Sequence, residues 1–468
     1  MTAHPGPVPV PVPVPVTAAR PKLSWSDLAG ARVGVWGLGR EGHANLRKLL
    51  ALGVEPVLVD DHPPAKADTG GRLVLATDDG GLAALEGCDV VVKTPGLSRY
   101  RPEVAQLSAR GIPVVGGLGL WLAEADLRRV VCVTGTKGKS TTVSVIGHLL
   151  TGLGHRCLVG GNIGVSPYDP AGPAAAGDFD YWAIEVSSYQ ATDLPVSPPV
   201  VAVTSLHPDH LDWHGGVEQY YRDKLSACSQ PGAELTVANG DSDLLAERAA
   251  LLGPRVEWVR EDDEPGADWM APLGLPGGHN RRNALIARRC LVALGVPGAA
   301  DDAALRAAAA GYRPLPSRLT PIGTARGVTF VDDSLSTNVL PTLAALDAFP
   351  GRRIALIVGG HDRGIDYAPL AAGVLARQAP TRVLTLPDSG PRIRAAIEAA
   401  AAQKQEKQEK QEATTTDCPD LETAVAAGFD WAQPDGVVLL SPAAPSFGRF
   451  RDYSDRSEAF ARAVRAIS

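Results

Sequence analysis

An apolar run, a glycine-rich loop and a helix-compatible segment follow one another in RRVVCVTGTKGKSTTVSVIGHLL, which begins at Arg128. A strand that ends in glycines and leads into a helix places backbone N–H groups at the helix start, where they can hold a polyphosphate. This stretch therefore predicts an α/β domain that binds a nucleotide. The residues of the loop are Gly135, Thr136, Lys137, Gly138, Lys139, Ser140 and Thr141.

The loop matches the phosphate-binding consensus only in part. Its Gly-Lys-Ser core is present, but the spacing from the first glycine is shorter than in G-x-x-x-x-G-K-[ST], which indicates a subclass. The alternative, a glycine-rich turn with a chance lysine, is disfavoured by the flanking strand and helix. We expect Lys139 to reach the β- and γ-phosphates, and the hydroxyl of Ser140 or Thr141 to help hold Mg²⁺.

A second metal ligand is expected on a neighbouring strand, and Glu185 follows the apolar run YWAI. A carboxylate near the phosphates can ligate Mg²⁺. An acid at the end of a buried strand can instead cap the turn that follows it. From the residues alone, both interpretations of Glu185 stay open.

Another glycine loop lies near the N-terminus. The run GLGREG, from Gly37 to Gly42, follows the apolar run ARVGVW, and Asp60 ends the next strand-like run, VEPVLVD. This spacing is typical of dinucleotide-binding folds, in which the acid binds a ribose hydroxyl, and alone it indicates NAD. The same loop suits any diphosphate, however, and we find no pair of residues that would face a nicotinamide.

Strand-like and helix-like segments alternate along the rest of the chain, which predicts α/β structure throughout. We expect Rossmann-like domains at both ends and a P-loop-type ATPase domain between them. The charged segment QKQEKQEKQE (403–412) is expected to be a solvated helix extension or a loose loop. The predicted ranges are 1–21 for a disordered proline- and valine-rich tail, 22–125 for the first domain, 126–315 for the central domain and 316–468 for the C-terminal domain.

Composition narrows the range of partners and compartments. The 45 basic and 52 acidic residues give a net charge of −7, which offers no broad basic surface for nucleic acid. Six scattered cysteines show no spacing typical of a zinc site or a disulfide framework, as expected in a reducing cytoplasm. Since there is neither a bilayer-length apolar run nor a secretory signal, we expect a cytoplasmic protein without membrane contact.

An ordered series of short motifs resembles the Mur ligases, and the likeness runs from about Leu23 to the C-terminus. The last motif is similar to the closing motif of the glutamate-adding branch. The motifs are GTKGKSTT, GNIG (161–164), EVSSYQ (185–190), HPDHLDWHGG (207–216), YYRDKLSA (220–227), GGHNRRNALIA (277–287), PSRLT (316–320), DDSLSTN (332–338) and SPAAPSFGRFRDYSDRSEAF (441–460).

The resemblance implies an ATP-dependent ligase that activates a carboxylate as an acyl phosphate, which an amine then attacks. It implies that Glu185 and His210 help to bind Mg²⁺ together with Ser140. It also implies that Lys224 is carbamylated, which would turn a cation into a metal-ligating anion. The alternative for Lys224 is an exposed helix lysine. His207 and His214 have no equivalent role and are expected to pack or hydrogen-bond locally.

The resemblance also implies which residues make the remaining nucleotide contacts. Asn280 and Asn283 would lie on the adenine side, while Arg318 and Asp333 would reach ATP from the third domain. Such a site would be completed only when the domains close, which would also keep water from the acyl phosphate.

By the same resemblance, the first domain would bind the UDP part of UDP-N-acetylmuramoyl-L-alanine rather than NAD. We expect the amino acid and this UDP-linked acid to be the only partners of a monomeric enzyme. The residues implied for the UDP-linked substrate are Gly37, Arg40, Asp60, Thr94, Pro95, Gly96 and Asn162.

The amino acid to be added is expected to be glutamate. D-glutamate-adding enzymes usually have Ser-Lys-Ala-Thr-Asn and a later Gly-Gly-x-x-Lys, whereas this chain has SLSTN (334–338) and GGHDR (359–363). We expect Thr337, Arg363, Ser446 and Phe447 to form a pocket for the side-chain carboxylate, because arginine can grip it bidentately. The changed pocket resembles the L-glutamate-adding variant. A D-glutamate enzyme with neutral substitutions and, more distantly, a regulatory protein that only hydrolyses nucleotide remain as alternatives.

Overall fold

The structure is a computed structural model that describes residues 20–63, 69–175, 177–405 and 413–467. Residues 1–19 of the predicted tail and 406–412 of the QKQEKQEKQE segment lie outside these ranges. In the described ranges, no helix has both the length and the apolar character needed to cross a bilayer. The chain divides into two compact units, one formed by residues up to Pro272 with Arg282–Ala310 and the other by Leu273–Arg281 with Gly311 onward.

The first unit contains two parallel sheets, of which the N-terminal one has five strands: β1 (Val33–Trp36), β2 (Val57–Asp60), β3 (Val74–Ala76), β4 (Val90–Lys93) and β5 (Val114–Gly116). Their order is β3-β2-β1-β4-β5, which matches the first five strands of the 3-2-1-4-5-6 order of a dinucleotide-binding fold. Strands β1 and β4 are buried along their whole length, as is usual when helices cover both faces of a parallel sheet. The accompanying helices are α1 (Arg40–Ala51), α2 (Gly81–Leu85), α3 (Pro102–Ala109) and α4 (Gly117–Glu124).

The second sheet has six parallel strands: β6 (Val130–Thr134), β7 (Cys157–Gly161), β8 (Tyr181–Glu185), β9 (Val200–Val203), β10 (Leu235–Asn239) and β11 (Val256–Val259). Their order is β11-β10-β9-β6-β8-β7, so the strand before the phosphate loop lies inside the sheet. Its helices are α5 (Lys139–Gly152), α6 (Ser188–Ala191), α7 (Leu211–His214), α8 (Val217–Leu225), α9 (Asp243–Ala246), α10 (Gly278–Ala293) and α11 (Asp302–Ala309), of which α10 begins in the residues assigned to the second unit.

The second unit contains a six-stranded sheet: β12 (Thr320–Ala325), β13 (Val328–Asp332), β14 (Ile354–Val358), β15 (Thr381–Thr385), β16 (Ala413–Asp417) and β17 (Val437–Leu440). Their order is β12-β13-β17-β14-β15-β16, and only the pairing of β12 with β13 is antiparallel among these strands. The helices are α12 (Val339–Asp347), α13 (Ala368–Ala376), α14 (Gly390–Gln405), α15 (Leu421–Ala432) and α16 (Tyr453–Ile467). The predicted α/β class, with three domains built on largely parallel sheets, is confirmed.

We expect the core of the second unit to depend on Phe330, which is fully buried and stacks on Phe429 at 5.8 Å. Replacing Phe330 with alanine removes this packing and leaves a cavity, so the unit should lose about 3–5 kcal/mol of unfolding free energy. Denaturant titration followed by circular dichroism measures the change. Leu340→Ala, at a side chain that is 41% exposed in the same unit, is the control. Equal effects of both substitutions would contradict the prediction.

Candidate nucleotide and substrate sites

The phosphate loop needs its glycines because neighbouring groups leave no room for side chains. Gly135 has a φ of 134°, and a Cβ there would lie 2.3 Å from the Thr204 hydroxyl oxygen. Gly138 has a φ of 90°, and a Cβ there would lie 2.8 Å from Asn283 Oδ1. Ser205, which follows Thr204 at the end of β9, fixes the loop from outside by accepting a hydrogen bond from the Lys137 backbone N–H at 2.8 Å. The loop therefore requires glycine at both positions, and a hydrogen bond to Ser205 helps to fix its backbone.

Two lysine ammonium groups donate to the same backbone carbonyl. Lys139 Nζ lies 2.9 Å from the Gly135 oxygen and 3.2 Å from that of Thr136, while Lys224 Nζ lies 3.0 Å from the Gly135 oxygen. Burial, with Lys139 as the next largest cause, holds the pKa of Lys224 well below its usual range. The alternative of an exposed helix lysine is wrong, since Lys224 is buried.

Glu185, at the end of β8, has one carboxylate oxygen engaged and one unpartnered. Its Oε1 accepts a hydrogen bond from Asn162 Nδ2 at 2.7 Å, and its backbone oxygen accepts one from Asn162 N at 2.9 Å. Its Oε2 is buried and has no hydrogen-bond partner among the described residues. Arg40 extends the set by donating to the Asn162 carbonyl at 2.6 Å. A buried oxygen without a partner is expected to face a ligand or an ion.

His210 and the hydroxyls that follow Lys139 complete the neighbourhood predicted to hold a metal. Ser140 is buried and Thr141 is half-buried in the first turn of α5. His210 precedes α7 in a left-handed conformation, with a φ of 51°. Burial lowers its pKa, which favours the neutral imidazole that metals bind. In the described part of the chain, histidine, cysteine and acidic side chains form no group of three suited to a metal.

The N-terminal glycine loop is equally constrained. Gly37 has a φ of 92°, and a Cβ there would lie 2.2 Å from the Thr94 hydroxyl oxygen. Both carboxylate oxygens of Asp60 accept backbone hydrogen bonds, Oδ2 from Leu38 at 2.6 Å and Oδ1 from His62 at 2.8 Å. The carboxylate of Asp60 thus braces the loop in addition to any contact with a ribose.

The segment after β4, which includes Thr94, Pro95 and Gly96, is hydrogen-bonded to α7 of the same unit. The Gly96 carbonyl accepts a hydrogen bond from Trp213 Nε1 at 3.0 Å. The Ser98 hydroxyl donates to the Trp213 carbonyl at 2.9 Å. The predicted UDP-substrate segment therefore contacts the segment that contains His210.

In the second unit, Asp333 is a buried carboxylate surrounded by donors. It accepts hydrogen bonds from the Leu319 N–H at 3.0 Å, from Ser441 Oγ at 2.7 Å and from Ser336 Oγ at 2.5 Å. Burial raises its pKa to about 7, against the lowering effect of these hydrogen bonds. Asp333 thereby fixes the turn that contains Arg318, a half-buried side chain.

The two asparagines predicted for the adenine side lie in α10 and are both buried. Asn280 Nδ2 donates to the Pro276 carbonyl at 2.8 Å. Asn283 lies against Gly138, as its distance from the ideal Cβ position there shows. Its adenine contact stays a prediction.

The predicted glutamate pocket brings a cation and an aromatic ring together in the second unit. The Arg363 guanidinium carbon lies 5.5 Å from the centre of the Phe447 ring, which is 50% exposed. Ser446 is buried beside it in the chain, and Thr337 donates its backbone N–H to the Leu335 carbonyl at 3.0 Å. Arg363 and Phe447 therefore form an exposed charged and aromatic surface.

Two buried hydrogen-bonded pairs lie outside the sites predicted from the sequence. Lys93 Nζ lies 2.5 Å from Asp193 Oδ2, and His214 Nδ1 lies 2.6 Å from Asp223 Oδ2. A lysine that closes the apolar strand VVVK was a usable signal, since unpaired lysines are rarely buried. No comparable signal marks His214.

Family models match two long segments of this chain. Residues 133–271 match the Mur ligase middle domain, and residues 317–444 match the glutamate ligase domain of Mur ligases. These segments contain the phosphate loop with Glu185, His210 and Lys224, and the greater part of the second unit.

Relatives and solved structures extend the match over nearly the whole chain. A UDP-N-acetylmuramoyl-L-alanine–L-glutamate ligase of a Micromonospora strain is 42% identical over 94% of this chain and 98% of its own length. The ligase of that name from Xanthomonas euvesicatoria is 39% identical over 93% and 96% of the respective lengths.

Two solved structures share the fold at low identity. UDP-N-acetylmuramate–alanine ligase from Thermotoga maritima superposes with a TM-score of 0.54 at 17% identity, covering 94% of this chain and all (100%) of that one. A pseudomurein peptide ligase type C from Methanothermus fervidus gives 0.53 at 14% identity, with coverage of 94% and 100%. With sequence identity of about 40% to curated relatives along nearly its entire length, this chain belongs to the Mur ligase family.

Proposed function

We propose that this protein joins glutamate to UDP-N-acetylmuramoyl-L-alanine in an ATP-dependent reaction of peptidoglycan precursor synthesis. The observation that supports this most strongly is the 42% identity to a ligase of that name over 94% of this chain and 98% of the relative. The phosphate loop and the buried groups beside it provide the chemistry. By this proposal, residues 22–125 bind the UDP-linked acid, 126–315 bind ATP and 316–468 bind glutamate.

Forming an amide from a carboxylate and an amine in water is unfavourable, so the carboxylate must first be activated. The γ-phosphoryl group of ATP passes to a carboxylate oxygen of the alanine end, and ADP leaves. The neutral amine of glutamate then attacks the acyl carbon, the C–O bond to the phosphate breaks, and phosphate and a proton leave as the amide forms. Lys139 and the N–H groups at the start of α5 compensate the negative charge during the first step.

Four residues are proposed to hold a Mg²⁺ ion. Glu185 offers a buried carboxylate oxygen without a partner in the described ranges, and the lowered pKa of His210 keeps its ring neutral. Together with the Ser140 hydroxyl and a modified Lys224, they would hold the ion. Mg²⁺ bound there would neutralise phosphate charge.

Lys224 suits carbamylation because of its environment. Only a neutral amine attacks CO₂, and burial lowers the pKa of Lys224, which increases its neutral fraction at neutral pH. The product is an anion that would relieve the clash with the Lys139 charge. Both effects favour a carbamate at this position.

We expect enzyme equilibrated with ¹³C-bicarbonate to show a carbamate carbon signal in its NMR spectrum. Lys224→Arg should abolish that signal, because a guanidinium does not form a carbamate under these conditions. Lys22→Arg, at an exposed residue, is the control and should keep it. Identical spectra for both variants would rule out the modification at Lys224.

Lys139→Ala should reduce ligation by at least about 100-fold, since a preorganised cation at the transferred phosphoryl group is lost. Binding of the UDP-linked substrate, measured by calorimetry, should remain. Lys22→Ala, at an exposed lysine, is the control and should retain both ligation and binding of the UDP-linked substrate. Full ligation by the Lys139→Ala variant would show that the loop does not act on the triphosphate.

The pocket residues favour the L enantiomer of glutamate. Leu335 and Arg363 stand where D-glutamate-adding enzymes usually have lysines, and the relatives of 42% and 39% identity are named L-glutamate ligases. A planar guanidinium beside the Phe447 ring can bind a carboxylate bidentately, which a lysine cannot do. Because either enantiomer presents that carboxylate, the two replaced lysines and the names of the relatives are what support L-glutamate, which we propose as the substrate.

Assays with UDP-N-acetylmuramoyl-L-alanine, ATP, Mg²⁺ and one glutamate enantiomer at a time test this proposal. We expect product and phosphate with L-glutamate only. Exclusive use of D-glutamate would overturn the stereochemical proposal but not the ligase activity. Phosphate release that does not depend on glutamate would instead favour a nucleotide-hydrolysing protein.

A further inference from the structure

A buried histidine in the first unit makes hydrogen bonds through both ring nitrogens. His214 Nδ1 lies 2.6 Å from Asp223 Oδ2, and Nε2 lies 3.0 Å from Ser188 Oγ. The side chains of His214 and Asp223 are 0% and 1% exposed. We call Ser188, His214 and Asp223 the His214 cluster. In the tautomer that carries hydrogen on Nδ1 alone, the ring donates a hydrogen bond to the carboxylate and accepts one from the Ser188 hydroxyl at Nε2.

The order serine, histidine, acid is also that of a hydrolytic triad, but the cluster is not one. Ser188 is buried, with 3% of its surface exposed, so no carbonyl substrate can approach its hydroxyl. The three side chains instead hold α6, α7 and α8 together. The cluster is therefore expected to position other residues rather than to react.

Each member of the cluster belongs to an element that also contains, or directly follows, a residue proposed to bind the metal. These elements are α6, which follows β8, then α7 with the residue that precedes it, and α8. The pairs are Glu185 with Ser188, His210 with His214, and Lys224 with Asp223. A single imidazole thus links three segments that are separate in the sequence.

A fourth segment, the loop between β4 and α3, contributes Tyr100. Its hydroxyl donates to Asp223 Oδ1 at 2.6 Å, and Gln219 Nε2 donates to both the Asp223 carboxylate and the Tyr100 oxygen at 2.8 Å. Burial, followed by the Asp223 charge, raises the pKa of Tyr100, so the hydroxyl remains a donor. Tyr100 follows Thr94, Pro95 and Gly96, the segment predicted to bind the UDP-linked substrate, in the same loop.

Trp213, the neighbour of His214, reinforces this link. It donates to the Gly96 carbonyl and accepts from the Ser98 hydroxyl, at 3.0 and 2.9 Å. The Tyr189 ring stacks on the Trp213 ring at 4.5 Å, with 30° between the planes. The turn that contains His210 is thereby held on both sides, although His210 itself adopts a left-handed conformation that is unfavourable for a non-glycine residue.

We propose that the His214 cluster positions Glu185, His210 and Lys224 for metal-nucleotide binding and that Tyr100 connects this arrangement to the UDP-substrate segment. The inference rests on the proposed function. Groups that orient metal ligands from behind alter metal affinity without touching the ion. Ser188, His214, Asp223 and Tyr100 are therefore positioning residues.

Ser188→Ala is the most direct test because it removes one hydroxyl and adds no bulk. Its matched control is Ser197→Ala, since the Ser197 hydroxyl is also buried and donates to the Ala227 carbonyl at 2.6 Å. Thermal unfolding, kcat, the Mg²⁺ concentration for half-maximal ligation and Mn²⁺ affinity with a non-hydrolysable ATP analogue are measured on the full chain. We expect similar unfolding temperatures, but about 10-fold weaker metal binding in Ser188→Ala alone.

Two further variants test the links through His214 and Tyr100. His214→Asn retains a donor toward Asp223, so its Mn²⁺ affinity should lie between those of wild type and His214→Ala. Tyr100→Phe removes the hydroxyl that donates to Asp223 but keeps the ring and adds no volume. It should therefore weaken Mn²⁺ binding without disturbing the packing. If His214→Ala does not fold, Ser188→Ala and Tyr100→Phe decide the question.

Metal affinities of Ser188→Ala and Tyr100→Phe equal to that of Ser197→Ala would overturn the inference and leave the cluster a purely stabilising feature. The proposed function fails separately, if wild-type protein binds Mn²⁺ with the analogue but forms no amide. Mn²⁺ affinities of the variants still test the positioning role in that case.

Discussion

Two buried or half-buried lysines that share the carbonyl of Gly135 determine the character of the nucleotide site. Lys139 and Lys224 approach that oxygen to 2.9 and 3.0 Å. Burial, followed by the excess of positive charge that Lys139 adds, holds the pKa of Lys224 well below its usual range. Phosphate oxygens near Lys139 and a carbamate on Lys224 would each reduce this excess. The positive charge of these two lysines thus suits the site to anions.

Parallel sheets explain why groups from distant parts of the sequence meet there. The phosphate loop follows β6, Glu185 ends β8, and Thr204 follows β9, and these three strands are neighbours. Because the carboxyl ends of parallel strands lie at one edge of a sheet, the three segments are adjacent. The N-terminal sheet repeats the pattern with Gly37 after β1 and Thr94 after β4, which is why a Cβ at Gly37 would meet the Thr94 hydroxyl.

Sequence patterns predicted the interior strands better than the edges. The valine-rich runs of β1, β4, β6 and β9 are buried throughout and were evident as apolar segments. Five edge strands have no comparable valine-rich run and could not be predicted from the sequence; they are β3, β7, β11, β12 and β16. An edge strand is covered less completely, so its sequence needs fewer apolar residues and resembles a loop. The interior strand β10 was also missed, since LTVAN contains two polar residues that hydrogen-bond inside the protein.

The site shows the same division between local and long-range information. The glycine loops and Glu185 could be predicted because the constraint lies in a few consecutive residues. The Lys93–Asp193 pair could not, because its members are 100 residues apart and the sequence around Lys93 does not indicate which acid it meets. His214 was correctly expected to hydrogen-bond locally, but its partners on α6 and α8 follow only from the packing of three short helices.

The two buried acids predicted to serve the nucleotide differ in a way that separates their roles. Glu185 keeps one oxygen without a partner in the described ranges, whereas both Asp333 oxygens accept from protein donors. A carboxylate with an unpartnered oxygen can bind an ion at no loss of existing hydrogen bonds, but one that is already surrounded must give some up. Ser317 and Leu319 have φ values of 59° and 52°, and the Leu319 N–H donates to Asp333. Asp333 is therefore best placed to stabilise this unfavourable turn and, through it, the position of Arg318, while Glu185 keeps an oxygen available for a ligand.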